Sequence, residues 1–192
     1  MDKKEALRIF EETGALQNGH FLLTSGLHSP QYFQCALVLQ YPQYLEKFCR
    51  EIVEFFFEEE NIDVVIAPAI GGIVVAQELA RQLNTRAIFA ERENGRMTLR
   101  RGFVIEEKEN VLVCEDVITT GGSVREILQL VEDAGAYPVG VGTIINRGED
   151  LEGFDVPVFA PVEVRAITYS PEKCPLCQQN IPLVKPGSRQ TT

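Results

Sequence analysis

Residues 111–123 constrain this chain more than any other stretch. Val111, Leu112, Val113 and Cys114 form an unbroken apolar run, the pattern of a strand buried on both faces. Glu115 and Asp116 follow as adjacent carboxylates. Thr119, Thr120, Gly121, Gly122 and Ser123 then open a helical pattern that runs to Ala134. Glycine lets backbone N–H groups approach a ligand closely, and a helix N-terminus favours an anion. Strand, glycine turn and helix in that order predict a phosphate cradle in an α/β fold, with two carboxylates just upstream.

The acidic pair separates this turn from other nucleotide loops. A Walker A loop needs Lys after its second Gly, where this chain has Ser123, and the turn contains no G-x-G-x-x-G. Carboxylates repel phosphate, so they must face another part of the same ligand. Sugar hydroxyls are donors that suit them, and so is a divalent cation. The ligand predicted is a ribose 5-phosphate unit. The competing reading is a polar loop between a core strand and a helix. A Gly-Gly-Ser turn alone would favour it; the full order of strand, acidic pair, turn and helix outweighs it.

Glu115, Asp116, Val117, Ile118, Thr119, Thr120, Gly121, Gly122 and Ser123 together resemble the phosphoribosyl pyrophosphate (PRPP) motif of the type I phosphoribosyltransferases. The Thr-Thr-Gly-Gly-Ser form is similar to the orotate phosphoribosyltransferases in particular. The resemblance implies transfer of ribose 5-phosphate from PRPP to orotate, with release of pyrophosphate, in pyrimidine biosynthesis. It implies that Glu115 and Asp116 hold the ribose hydroxyls, with Asp116 catalytic, that residues 117–123 hold the 5′-phosphate, and that Mg²⁺ is the cofactor.

Other stretches fit the same picture. Residues 63–67 read as a short buried strand, followed by Pro68-Ala69-Ile70-Gly71-Gly72 and a helix to Leu83. Taken alone, those glycines could serve close helix–strand packing; the resemblance implies that Ile70 and Gly71 bind pyrophosphate through the backbone. Residues 86–90 read as a strand. Residues 91–102 have turn chemistry and carry Arg92, Arg96, Arg100 and Arg101, which alone suggest a solvated hairpin. The resemblance implies a loop covering the pyrophosphate, in the site of a dimer partner, with Arg92 catalytic and Arg92 and Arg96 as pyrophosphate contacts. Members of the family commonly have Lys and His there; this chain has neither. Residues 139–145 read as a strand ending at Asn146-Arg147-Gly148, and ligands in open α/β sheets bind beyond the carboxyl ends of strands. An Arg in that place can grip a carboxylate with two hydrogen bonds. The resemblance assigns orotate to Arg147 and Thr119.

The N-terminal part reads as a helix over 3–12 and strand-like runs at 20–24 and 32–39, with the turn 25–30 between them. The resemblance implies that Ser25-Gly26 and Ser29-Pro30 form a hood over the base. Family members often have Lys before the Ser-Gly, where this chain has Thr24. His28 is either a compensating contact or a surface residue of the turn. Residues 41–59 give the clearest helix, with Leu45, Phe48, Cys49, Ile52, Val53 and Phe56 at three- and four-residue spacing and Pro42 in the first turn. Residues 156–160 and 164–169 read as closing strands. The expected architecture is one α/β domain over residues 1–170, a mostly parallel sheet flanked by helices, with a hood over about 1–40.

Residues 171–192 form a tail with Pro182, Pro186 and Gly187. Cys174-Pro175-Leu176-Cys177 has metal-knuckle spacing but supplies only two ligands. Cys35, Cys49 and Cys114 lie in apolar runs and are poor partners, so zinc would need two more Cys from a symmetric dimer. Five Cys without a secretion signal argue against a disulfide framework.

Formal net charge of −10 over 192 residues argues against nucleic acid as partner and requires any anion site to be built locally. The run Glu58-Glu59-Glu60 reads as a solvated helix end. No apolar run reaches the length of a membrane span, so a cytoplasmic location is expected, and the resemblance implies a homodimer with shared active sites. Two other functions compete. A PRPP-sensing regulator would keep the cradle and add a basic DNA-binding segment, which this acidic chain does not show. A purine phosphoribosyltransferase would need no carboxylate-binding Arg.

Overall fold

A computed structural model describes residues 1, 3–23, 25–56, 61–148, 153–164 and 167–186, without the side chain of residue 3. Thr24, the acidic run 58–60, residues 165–166 of the last expected strand, and Gly187 lie outside the described residues.

The first helix, α1 (Lys3–Glu12), ends as expected at Thr13 and Gly14, where Thr13 Oγ1 donates to the Ile9 carbonyl at 2.7 Å. Strands β1 (Leu16–Leu22) and β2 (His28–Phe33) form an antiparallel hairpin, a small sheet separate from the main one. The expected strand over 32–39 is corrected here. It stops at Phe33, and α2 (Ala36–Leu39) follows. The buried positions 35, 38 and 39 are spaced for one side of a helical turn, not for alternation. His28 is also corrected: it is buried at the start of β2, not exposed on the turn.

The long helix α3 (Pro42–Phe56) buries Leu45, Phe48, Cys49, Ile52 and Phe56. From there the chain alternates: β3 (Val64–Pro68), α4 (Gly71–Leu83), β4 (Arg86–Glu93), β5 (Arg96–Leu99), β6 (Asn110–Ile118), α5 (Gly122–Asp133) and β7 (Tyr137–Asn146). Two strands of two residues, β8 (Val158–Phe159) and β9 (Val162–Glu163), both pair with β7 in place of the longer closing strands expected. The main sheet runs β5-β4-β3-β6-β7-β8, parallel throughout except for the β4–β5 hairpin. That hairpin turns at Asn94-Gly95, both with positive φ (49° and 84°), the two-residue turn whose twist matches its strands. Residues 91–99 are therefore the compact hairpin that their composition alone suggested.

Strand alternation sends neighbouring side chains to opposite faces. Val65, Ala67, Leu112 and Cys114 pack under α3 and α4 in one core. Val64, Ile66, Val111 and Val113 pack under α5, with Val124, Ile127 and Val131, in the other. Each fully buried aliphatic side chain of this kind contributes about 1.5–3 kcal/mol. Gly140 and Gly142 let α3 approach β7: a Cβ at Gly142 would stand 2.5 Å from Ile52 Cγ2. The helix α4 covers one face and α5 the other, and the chain moves outwards in opposite directions from β3 and β6. The crevice between the carboxyl ends of those two strands is the topological switch point, where such sheets bind ligands.

After β9 the chain returns to the N-terminal hairpin. Tyr169 exchanges two backbone hydrogen bonds with His28 (2.8 and 2.9 Å), and Val184 bonds to His20 and Leu22, each at 2.8 Å. A 3₁₀ turn (Pro171–Lys173) and the short helix α6 (Pro175–Gln178) lie between these two anchors. Among the described residues, no helix is long and apolar enough to cross a membrane.

Candidate active site

The crevice collects the predicted residues from three strand ends. β6 runs further than the apolar pattern suggested: it stays paired with β7 to Ile118↔Asn146, so the acidic pair stands within the strand. Thr119 and Thr120 then leave the sheet. Gly121 takes a left-handed conformation (φ 72°), and α5 starts at Gly122. A concave surface is lined by Glu115 and the run 117–124. No side chain caps α5, so its first-turn N–H groups point into this concavity without a side-chain acceptor.

The turn is braced from outside. Arg125 donates through Nη1 to the Thr120 carbonyl (2.8 Å), and its guanidinium lies 4.4 Å from the Phe154 ring centroid. A Cβ at Gly121 would stand 2.6 Å from Phe154 Cζ and 2.8 Å from Arg125 Nη1, so this place takes glycine for room as well as for φ. The sequence reading missed this brace, because nothing in an Arg of α5 or a Phe far along the chain marks them as neighbours.

Opposite the acidic pair stands the start of α4. Gly71 faces the Asp116 carboxylate, which a Cβ would strike, and a Cβ at Gly72 would lie 3.2 Å from Glu115 Oε1. Ile70 precedes them, 85% exposed, after a cis peptide at Ala69–Ile70. Glu115 Oε1 accepts from the Asp116 N–H and Asp116 Oδ1 from the Val117 N–H, both at 3.0 Å. Burial, and then the Asp116 carboxylate beside it, push the Glu115 carboxyl well above the usual carboxylate range. The pair resists carrying two charges in the free site and gains from any donor or cation that approaches. Two carboxylates with room for substrate phosphates are the donor set that Mg²⁺ accepts.

Arg147 follows the last residue of β7 and turns towards the hood. Its guanidinium lies 5.4 Å from the centroid of the buried Phe33 ring. Burial lowers its pKa from the ordinary value, against the opposing influence of Cys35 and Tyr32, and Arg stays charged regardless. Its Nε is buried with no hydrogen-bond partner, and no carboxylate pairs with it among the described residues. A half-buried cation with a buried, unmet donor is costly unless an anion joins it. Thr119 lies beside it: the Arg147 N–H bonds the Ile118 carbonyl at 2.9 Å, and a Cβ at Gly148 would stand 2.6 Å from the Thr119 carbonyl. Tyr32 and Phe33, which no sequence signal singled out, supply the hood side of this pocket.

The arginines of the β4–β5 hairpin are mostly engaged. Arg92, two residues beyond the last β3–β4 pairing, bonds Glu126 of α5 at 2.7 and 3.2 Å. Arg101 pairs with Glu91 and Arg100 with Glu93, whereas Arg96 is exposed and pairs with no carboxylate among the described residues. Such half-exposed pairs are worth about 0–1 kcal/mol, so a polyanion can take Arg92 from Glu126. Cys174 and Cys177 do not line this concavity and stand instead beside His20 and His28 of the N-terminal hairpin.

The chain is similar in sequence and in fold to known proteins. Residues 39–163 match the model of the phosphoribosyl transferase domain. The orotate phosphoribosyltransferase of Thermoanaerobacter sp. (strain X514) is 54% identical over 190 residues, which is 99% of this chain and 100% of that protein. Among solved structures, orotate phosphoribosyltransferase from Aeropyrum pernix superposes with a TM-score of 0.72 at 22% identity, covering 82% of this chain and 93% of that one. Adenine phosphoribosyltransferase from Rhodothermus marinus superposes at 0.65 and 22% identity, over 84% of this chain and 99% of that one. The fold is thus common to enzymes of different bases, and the base must be read from the site and from the close relatives.

Proposed function

We infer the reaction from a plain premise: the chain belongs to the phosphoribosyltransferase family. Its full-length relatives at about half identity are orotate phosphoribosyltransferases, and this chain catalyses their reaction. Orotate nitrogen gives up its proton and bonds to the ribose anomeric carbon of PRPP, the bond from that carbon to the pyrophosphate oxygen breaks, and orotidine 5′-monophosphate and pyrophosphate leave, the proton going to the pyrophosphate or to solvent. The product is the precursor of UMP. The observation that carries orotate over a purine is Arg147, a half-buried guanidinium whose Nε donor is buried and unmet, at the strand end beside Thr119.

In this reading, residues 117–123 hold the 5′-phosphate through the N–H groups of the turn and of the first turn of α5. Glu115 and Asp116 accept from the ribose hydroxyls, and their negative charge favours the oxocarbenium character that develops at the anomeric carbon. Ile70 and Gly71 offer backbone to the pyrophosphate, close enough because Gly71 has no Cβ to strike Asp116. Arg147 and Thr119 orient orotate, with Tyr32 and Phe33 at the hood side. Magnesium, held by the acidic pair together with PRPP, would offset the pyrophosphate charge as it leaves. Catalysis is then positioning and charge stabilisation, with no covalent enzyme intermediate.

The test is direct. With PRPP and magnesium, orotate should release pyrophosphate, and adenine, guanine and hypoxanthine should not. Turnover with a purine and none with orotate would overturn the reading. The cytoplasm is the compartment that supplies these substrates.

The crevice is poor in positive charge, which supports a homodimer in which Arg92 and Arg96 of one subunit reach the pyrophosphate of the other. Arg92→Ala and Asp116→Asn should each be inactive alone. Mixed after subunit exchange, they should recover about a quarter of wild-type activity, since half the dimers are hybrid and one site of two in each is intact. No recovery, with exchange shown independently, would place Arg92 in its own subunit's site or in packing alone.

A further inference from the structure

The chain has only two histidines, and both lie beside the Cys-Pro-Leu-Cys of the tail. His20 belongs to β1, His28 opens β2, Cys174 precedes α6 and Cys177 lies within it. One ligand atom from each converges, all within 4.8 Å of one another. His20 Nε2 lies 2.9 Å from His28 Nδ1, 3.5 Å from Cys174 Sγ and 3.7 Å from Cys177 Sγ, and Cys177 Sγ lies 3.4 Å from His28 Nδ1. Tetrahedral zinc, with bonds of about 2.0–2.1 Å to nitrogen and about 2.3 Å to sulfur, sets its ligand atoms about 3.3–3.8 Å apart. Three of these four separations fall in that range, the two ring nitrogens stand a few tenths closer, and every pair lies within 4.8 Å.

Protonation points the same way. His20 Nδ1 lies 2.8 Å from the Ile181 carbonyl, which can only accept, so Nδ1 carries the proton. That bond leaves Nε2 facing inwards, towards His28 and the two thiols. This is the outer hydrogen bond that fixes the tautomer of a metal-bound histidine, and it comes from the same segment that supplies the thiols.

The tail needs such a fastening. Among its described residues 167–186, the one buried side chain is Cys174. Ile181, Leu183 and Val184 remain 36%, 44% and 51% exposed, so apolar burial does little to hold it. Backbone hydrogen bonds at Tyr169 and Val184 tie it to two sides of a two-stranded hairpin, itself a marginal unit.

We propose that His20, His28, Cys174 and Cys177 of one chain bind a structural zinc ion that clamps the tail to the hood hairpin. Two thiolates and two imidazoles in a tetrahedron suit zinc, and four protein ligands leave no open position for chemistry. No second subunit is needed. The two cysteines expected from a dimer partner are replaced by histidines about 150 positions earlier in the same chain. The ion would fix the start of β2 and hold it to the tail. The assignment stands independently of the reaction above.

The test uses the full-length protein, produced with zinc and dialysed against a weak chelator. One zinc per chain should remain, and a mercurial titration of the two thiols should release it in step. Replacement by cobalt(II) should give the visible bands of a tetrahedral site with thiolate-to-cobalt charge transfer. A strong chelator should lower the melting temperature by roughly 5–10 °C, the size conferred by tight binding to the folded state in a chain of this length. Cys177→Ser, at the exposed corner, should lose zinc while remaining folded. Should it fail to fold, the mercurial titration of the wild type still decides. Far less than one zinc per chain would overturn the site. So would zinc retained after both thiols are blocked, or a Cys174–Cys177 disulfide in zinc-replete, reduced protein.

Discussion

Asp116→Asn should fold normally and lose about 10²–10³-fold in kcat, the size of effect seen when one preorganised electrostatic partner of a transition state is removed. The substitution is nearly isosteric. Oδ1 of Asn can still accept the Val117 N–H that Asp116 now binds at 3.0 Å, and the neutral side chain no longer crowds Glu115 with charge. The stability of the variant should therefore equal or exceed that of wild type. What it loses is a charge facing the anomeric carbon and a good acceptor for a ribose hydroxyl. Because the loss falls in the transition state, kcat and kcat/KM should drop together. Steady-state kinetics and a thermal melt decide it. A variant that melts early would make Asp116 a structural residue, and one with full activity would remove it from the chemistry.

The cradle was legible because its sequence is local. An apolar strand, two carboxylates and a hydroxyl-glycine turn lie within thirteen consecutive residues, and the candidate anion cradle is made by backbone N–H groups of that one stretch. The alternating strands and helices were legible for the same reason, and the structure returns them with their ends moved by a few residues. The errors fell where side chains from distant segments decide. Residues 35–39 looked extended because apolar residues cluster there; their packing against α3 and α4 makes a helical turn. His28 looked like a surface residue because the hydrogen bonds that bury it come from Tyr169. The Arg125–Phe154 brace and the His20–His28–Cys174–Cys177 cluster join positions that no periodicity connects. The arginine-rich segment was ambiguous for another reason. Asn94-Gly95 states a tight hairpin clearly, but a loop's reach towards a ligand is a property of the complex.

Arg147→Ala should weaken orotate binding by about 10–150-fold while leaving PRPP binding nearly unchanged. A hydrogen bond to a charged group is worth about 1.5–3 kcal/mol, and every 1.4 kcal/mol is tenfold. The buried Nε without a partner suggests that the guanidinium is held ready for an anion at a cost to the free protein. Truncation removes that cost together with a contact to Phe33, so the melting temperature should change little. This combination separates a binding residue from a packing residue. A core arginine that merely filled space would leave a cavity, lower stability, and weaken both substrates through a loosened crevice. Calorimetric titration with orotate and with PRPP, beside a thermal melt, reads both quantities. Equal weakening of the two ligands with a fall in stability would count against the orotate role. Lysine is the sharper substitute: it keeps the charge but cannot form the planar two-bond grip, so Arg147→Lys should recover only part of the lost affinity.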